Sequence, residues 1–339
     1  MSRSDEFLGN DGLSVGPLWL KGRAFLAPMA GVTDVGMRRL AQNFGAALTI
    51  TEMLDSEFYA GGDRETAVRA EGAGLFPHVV QIAGCRPESL AEAARRAEAA
   101  GAAMIDINMG CPAKRVTGGA AGSALMRDLD LAIHLVRAVI AAVKTPVSLK
   151  MRLGWDQSAL NAPELARRAG AEGIAMLTVH ARTRCQFFQG SADWAAIRKV
   201  REATTIPLVA NGDCKSVEDA SAMMAASGAD AVMIGRAAVG RPWFVGEVAL
   251  HLAKGAPRPG LSGALRAAAA LEHYRTLLSL FGKEQGLRHA RKHLSAYAGW
   301  SKRPDAPELR TRLVRSESPA EVESLLSVLF EAEPPAVAA

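Results

Sequence analysis

The sequence predicts an α/β chain: a (β/α)8 TIM barrel with a small helical-bundle domain behind it. Three observations lead there. Eight short apolar runs, starting near residues 23, 47, 78, 104, 146, 175, 207 and 231, alternate with helix-patterned segments. Eight such units in about 250 residues are what this barrel requires. Past residue 253 the strand pattern ends and only helical patterns follow. A doubly wound sheet is the structural rival, but no GxGxxG follows the first strand. The expected division is a barrel over 1–253, a linker over 254–262, a helical domain over 263–331 and a disordered tail over 332–339.

The elements are justified in order. A polar leader precedes the first strand, 23–27, which ends at Pro28-Met29-Ala30-Gly31. Met37, Leu40 and Phe44 then recur at helical spacing. The second strand, 47–51, runs into Glu52, and a longer loop separates it from the third, 78–82. Pro87 opens an alanine-rich helix that Gly101 closes, the usual placing of the two residues. The fourth strand is 104–109, with a helix at about 128–143; the fifth is 146–151, with a helix around 164–169. The sixth strand, 175–180, and a helix at 194–200 lead to the seventh, 207–211. Ser216 with Asp219 reads as a capping box opening a helix to Ser227. The eighth strand is 231–234. Beyond the Pro- and Gly-rich 254–260, helices are expected at 264–281, stopped by Gly282, then at 286–297 and 307–314. A last one has Ser318 as N-cap, Pro319 in its first turn and Glu321 to complete a capping box.

With 49% apolar and 22% charged residues, the 339-residue chain has ample material for a large core. The net charge of +5 points weakly to an anionic partner. Cys85, Cys111, Cys185 and Cys214 show neither CxxC nor zinc-finger spacing, so free thiols in a reducing cytosol are expected. The N-terminus carries Asp5 and Glu6 with no apolar stretch after them, unlike a secretory signal. No apolar run approaches the ~20 residues of a membrane span. The expectation is a cytoplasmic protein.

Catalytic residues of such barrels sit at the C-terminal ends of the strands. Those ends carry Pro28-Met29-Ala30, Glu52, Gln81, Asn108 with Cys111, Lys150, His180, Asn211-Gly212-Asp213 and Gly235-Arg236. Polar groups closing apolar strands need partners or a ligand, because burying them unpaired costs kilocalories each. Cys111 alone is weak evidence, since a free cysteine packs as a small hydrophobe. It is followed, however, by Lys114, Arg115 and the glycines Gly118, Gly119 and Gly122, which suit a mobile basic flap. Lys150 reads either as an ion-pair partner of Asp106 or as a cation beside an electron-rich ring. His180 reads as a core histidine or a site residue, with the polar run Arg182-Thr183-Arg184 favouring the site. Gln81 has the donor and acceptor to grip an amide-like ring edge. The loops after strands seven and eight commonly hold a phosphate, where Gly212, Gly235 and Arg236 stand. Arg241-Pro242 replaces the Lys-Ser/Thr of a P-loop, so no NTPase is expected. Without HExxH, a Cys/His cluster or a paired-carboxylate motif, no metal is expected either.

Several runs resemble the tRNA-dihydrouridine synthases. They are Ala27-Pro28-Met29-Ala30-Gly31-Val32-Thr33-Asp34, Asp106-Ile107-Asn108-Met109-Gly110-Cys111-Pro112, Lys150-Met151-Arg152-Leu153-Gly154-Trp155 and Val179-His180-Ala181-Arg182-Thr183-Arg184. Ala210-Asn211-Gly212-Asp213, Met233-Ile234-Gly235-Arg236 and Ala290-Arg291-Lys292-His293-Leu294 complete the set. The likeness spans about residues 20–330 and is nearest the bacterial B-type, nitrogen-regulation-like subgroup. It implies reduction of the C5–C6 bond of specific uridines in tRNA by an FMN-dependent oxidoreductase with NADPH as reductant; tRNA is the expected partner and a monomer the expected state.

Carried over by residue, the resemblance places Pro28, Met29, Ala30, Gln81, Lys150 and His180 against the flavin ring. Asn211, Gly212, Asp213, Gly235 and Arg236 fall on its ribityl phosphate. Cys111 becomes the general acid, delivering a proton to C5 while hydride reaches C6; a free thiol, pKa ~8.5, holds its proton at neutral pH. Asn108 is expected to orient the base. Lys114, Arg115, Arg182, Arg184, Arg291 and Lys292 are expected to meet tRNA, backed by the basic excess of residues 283–315. One departure is Ala296, where relatives of this branch commonly carry tryptophan. A flavin enzyme for a free pyrimidine and a non-catalytic RNA-binding scaffold are the rival readings.

Overall fold

Strand alternation decides what the barrel encloses. The computed structural model describes residues 11–255 and 260–331. A hairpin of β1 (Gly12–Val15) and β2 (Leu18–Lys21) comes first. Nine strands form the main sheet: β3 (Ala24–Leu26), β4 (Leu48–Thr49), β5 (Leu54–Asp55), β6 (Val79–Ala83), β7 (Met104–Met109), β8 (Val147–Arg152), β9 (Met176–His180), β10 (Leu208–Asn211) and β11 (Ala231–Ile234). Their order is β4-β3-β11-β10-β9-β8-β7-β6-β5, every pairing parallel. A parallel bridge from Ile50 to Val79 joins the end of β4 to β6 and closes the circle. All eight expected strands are present.

The segment before residue 23 is not merely a polar leader. Leu13, Val15, Leu18 and Leu20 alternate with Ser14 and the exposed Trp19 about a turn in which Gly16 takes φ 55°. Val15 and Leu20 are fully buried beneath the barrel. The loop between the second and third expected strands likewise holds structure: β5, then the short helices at Ser56–Ala60 and Arg64–Ala70.

Every second side chain of a strand faces inward. Near the hairpin that inward set is apolar: Phe25, Val79, Met104, Met176, Val209, Ala231 and Met233 pack together. Toward the other end of the barrel the inward set turns polar. Gln81, Asp106, Asn108, Ser148, Lys150, Arg152, Thr178, His180 and Asn211 are all buried there. The floor of the barrel is therefore a sealed core, and its upper end is a ring of hydrogen-bonding groups.

Helices cover the outside. Those used below are α1 (Val35–Asn43), after β3, and α2 (Lys114–Thr117), in the loop after β7. They are followed by α3 (Phe244–Lys254), closing the barrel. The C-terminal helices are α4 (Gly263–Gly299), α5 (Ala306–Arg315) and α6 (Pro319–Leu329). Gly282 breaks α4 with φ 72° and ψ 174°, where the glycine was expected to stop a helix. Ser318 caps α6 as expected, accepting from the Glu321 amide. Residues 256–259 of the expected linker and the expected tail 332–339 lie outside the described residues.

The C-terminal helices share a core with the barrel wall. Leu40 of α1 and Trp243, just before α3, join Tyr274, Leu294, Tyr297, Leu326 and Phe330. Trp243 stacks on Tyr297 (6.5 Å between ring centres) and meets Phe44 and Phe330 edge-on. Gly240 (φ 75°) lies against α4 so closely that a Cβ would stand 2.4 Å from the carbonyl carbon of Ala296. Gly240→Ala is expected to cost about 2–4 kcal/mol, from the clash and the left-handed backbone together. A denaturant midpoint measures it; a change under half that size would show the interface to be pliable.

Candidate active site

The polar ring begins with a fully buried carboxylate. Asp106 accepts from Gln81 Nε2 and from Ser148 Oγ, both at 2.6 Å. Gln81 Oε1 in turn accepts from Asn108 Nδ2 (2.8 Å). Asn108 Oδ1 accepts the amides of Gly110 (3.1 Å) and Cys111 (2.9 Å). This relay follows from register, because Gln81 pairs with Asp106 and Asp106 with Ser148 across neighbouring strands. It fixes the turn that carries Cys111 to the deep wall. Ser123 secures the far side, donating from Oγ to the Cys111 carbonyl (2.8 Å). Burial raises the Asp106 carboxyl above its ordinary value, with the bonds from Gln81 and Ser148 opposing.

Lys150 makes its hydrogen bond elsewhere than Asp106. Its Nζ donates to Asn211 Oδ1 (3.1 Å), and Asn211 Nδ2 donates to the Met233 carbonyl (2.8 Å). Burial first, and then the nearby Arg152 charge, lowers the Lys150 ammonium to about 8. His180 is held well below its ordinary value by burial, then by Arg152 and Lys150. Its Nδ1 is buried with no hydrogen-bond partner among the described residues.

The Lys150 shift has a measurable consequence. An unfolded lysine keeps its proton to about pH 10.4, whereas this one releases it near 8 when folded. Between those values the unfolded chain binds the extra proton, so this group makes stability rise with pH. In flavin-free protein, Lys150→Met is expected to flatten the pH dependence of the denaturant midpoint from pH 8 to 10. An unchanged slope would contradict the shift.

Arg152 is a site residue that the strand-end reading passed over as part of an exit loop. It alternates with Ser148 and Lys150, which was the available signal. The side chain donates to the carbonyls of Gly110 (2.9 Å), Thr183 (2.8 Å) and Phe187 (2.8 Å), stapling the Cys111 turn to the loop after β9. Burial pulls its guanidinium down to about 10, with Cys111 the nearest opposing influence. Phe188 was missed too. Half exposed, it stands edge-on to His180 at 6.2 Å, under the guanidinium groups of Arg152 and Arg236. Two adjacent phenylalanines in a polar loop were the hint.

At the other side of the mouth lie the residues expected to hold phosphate. Asp213, at φ 58°, receives Arg182 Nη1 (3.1 Å), Arg236 Nη2 (3.0 Å) and the Ala192 amide (3.0 Å). These donors keep its carboxyl below the ordinary range although burial pushes it up. A Cβ on Gly235 would lie 3.7 Å from Met29 Sδ, so the first and last strand-end loops touch. Arg182 does not fit the expected contact with tRNA. It is 1% exposed, ion-paired to Asp213 and bonded to the carbonyls of Gln189 and Gly190.

The remaining expected tRNA residues are accessible to different degrees. Lys114 and Arg115 are exposed on α2, and Arg291 and Lys292 on α4. Lys292 reaches the mouth, its Nζ 3.2 Å from where a Gly31 Cβ would be. Arg184 is half-buried between the Trp155 and Phe187 rings, 4.6 and 4.7 Å from their centres.

The dihydrouridine synthase (Dus) family model matches residues 25–333. The chain belongs to the dihydrouridine synthase family. A "Probable tRNA-dihydrouridine synthase" of Rhizobium leguminosarum bv. phaseoli is 49% identical over 311 residues, 91% of this chain and 95% of that protein. The "tRNA-dihydrouridine synthase B" of Xanthomonas campestris pv. campestris is 46% identical over 321 residues, 94% of this chain and 96% of that one. That relative carries the B designation of the subgroup the sequence resembles. An old yellow enzyme homologue from Zymomonas mobilis shares the barrel fold, with a TM-score of 0.51 at 17% identity over 73% of this chain and 92% of its own. The dihydrouridine synthase match extends through α4, α5 and α6, so these helices are part of the family's common body.

Proposed function

We propose that this chain reduces uridines in tRNA to dihydrouridine, with FMN at the barrel mouth and NADPH as the source of electrons. The observation that supports it most is the placing of Cys111. The thiol rides on a turn pinned by Asn108 at the Cys111 amide and by Arg152 at the Gly110 carbonyl, beside the strand that carries Lys150.

The residues of the mouth fit a flavin. His180 Nδ1 is a buried polar atom in want of a partner. Lys150 retains donors beyond the one given to Asn211. Arg236, aimed by Asp213, brings a cation to the loops where such barrels take phosphate. Pro28, Met29, Ala30 and Gln81 would line the ring, Lys150 and His180 its polar edge, and Asn211, Gly212, Asp213, Gly235 and Arg236 the ribityl phosphate. Bound there, FMN supplies the hydride that reaches C6 of the base.

The chain's own part is the proton. Cys111 gives its thiol hydrogen to C5 as the C5–C6 double bond is lost, and the thiolate left behind takes a proton back from solvent. Asn108 keeps the turn in place. The uridine must leave its stack, at a cost of a few kcal/mol, which phosphate contacts by Lys114, Arg115, Arg184, Arg291 and Lys292 offset. Among the described residues no helix is long and apolar enough to cross a membrane. We take the working form to be a cytoplasmic monomer.

The test is substrate choice. FMN-loaded protein with NADPH is offered undermodified tRNA, free uridine and dihydroorotate. Dihydrouridine in tRNA alone is expected; turnover of the small molecules without tRNA would favour a free-pyrimidine enzyme.

A further inference from the structure

Residues far apart in sequence meet where the first βα unit touches the C-terminal helices. Asp34 caps α1, its Oδ1 accepting the Met37 amide (3.1 Å). Its Oδ2 faces two imidazoles of α4: His273 Nε2 at 3.1 Å and His293 Nε2 at 3.5 Å. All three side chains are buried, and their three donor atoms lie within 4.8 Å of one another. We propose that Asp34, His273 and His293 bind a divalent transition-metal ion of the zinc class, clamping α4 to the start of α1.

Four features support this. First, Zn–N and Zn–O bonds of 2.0–2.1 Å at tetrahedral angles place ligand atoms about 3.4 Å apart, close to the two spacings from Asp34. Second, His293 is 2% exposed, and its Nε2 has no hydrogen-bond partner among the described residues although it points into the cluster. Third, His273 Nδ1 lies 3.1 Å from Tyr297 Oη. An outer hydrogen bond of that kind fixes the tautomer of a metal-bound histidine and leaves Nε2 free to coordinate. Fourth, two imidazoles and one carboxylate suit zinc-like ions rather than calcium or magnesium, which take oxygen ligands.

The neighbouring cations do not block the site. Arg38 commits Nε and Nη2 of its guanidinium to the carbonyls of Thr33, Arg69 and Glu71. Lys292 is exposed beside Gly31. Three protein ligands leave a fourth position for water. Motif spacing gave no warning of this cluster, because Asp34 and His273 are 239 positions apart.

The test uses full-length protein stripped with a chelator and then given Zn²⁺ alone. One Zn²⁺ per chain is expected, with a higher melting temperature and a zinc-edge anomalous peak between Asp34, His273 and His293 in crystals. His293→Gln should weaken uptake at least tenfold, and Tyr297→Phe by about 10–100-fold through loss of the outer hydrogen bond. The anomalous peak requires no variant, so a misfolded substitution does not spoil the test. No stoichiometric zinc uptake by the wild-type chain, or uptake unchanged in both His273→Ala and His293→Gln, would overturn the proposal.

Discussion

Cys111→Ala should lower tRNA reduction by about 10²–10⁴-fold, the usual worth of a positioned general acid, while FMN and tRNA still bind. The backbone of the turn supports that separation. Asn108 holds the Cys111 amide and Ser123 the Cys111 carbonyl, so neither contact needs the sulfur. The exchange of a thiol for a methyl hydrogen removes the proton donor without a new cavity of consequence. Single-turnover reduction of bound tRNA reads the chemical step, and flavin fluorescence and filter binding read the two affinities. Full activity in the variant would take Cys111 out of the chemistry.

The second large effect is structural. Asp213→Ala should destabilise the protein by about 3–5 kcal/mol, the cost of leaving a buried charge without its partner. Arg182 is almost fully enclosed, and after the substitution only the carbonyls of Gln189 and Gly190 remain to it. Arg236 loses its anchor in the same step, so FMN affinity should fall as well. Arg182→Leu combined with Asp213→Ala should be milder than the sum of the two singles, because no unpaired charge then remains. Additive losses in a denaturant double-mutant cycle would mean the pair is not coupled.

The barrel and most of its mouth were legible because the chain writes them locally. Each strand is a short apolar run, and most end on a polar residue that a buried apolar wall would not otherwise tolerate. Gln81, Lys150, His180 and Asn211 were visible in that way. What stayed hidden depends on contacts made only after folding. The hairpin of β1 and β2 has only four alternating apolar residues and gains its burial from the barrel floor. Arg152 reads as loop until its alternation with Lys150 places it inside. Arg182 reads as a surface cation, and only the left-handed turn at Asp213 shows what neutralises it. Asp34, His273 and His293 belong to one cluster solely because α4 docks on α1.

The central claim is that the mouth of the barrel holds a flavin across from Cys111. The visible absorption spectrum of the purified protein, followed by FMN titration of stripped protein, tests it most directly. One yellow flavin per chain is predicted, with the spectrum perturbed by Lys150→Met. A colourless protein that takes up no FMN would contradict it.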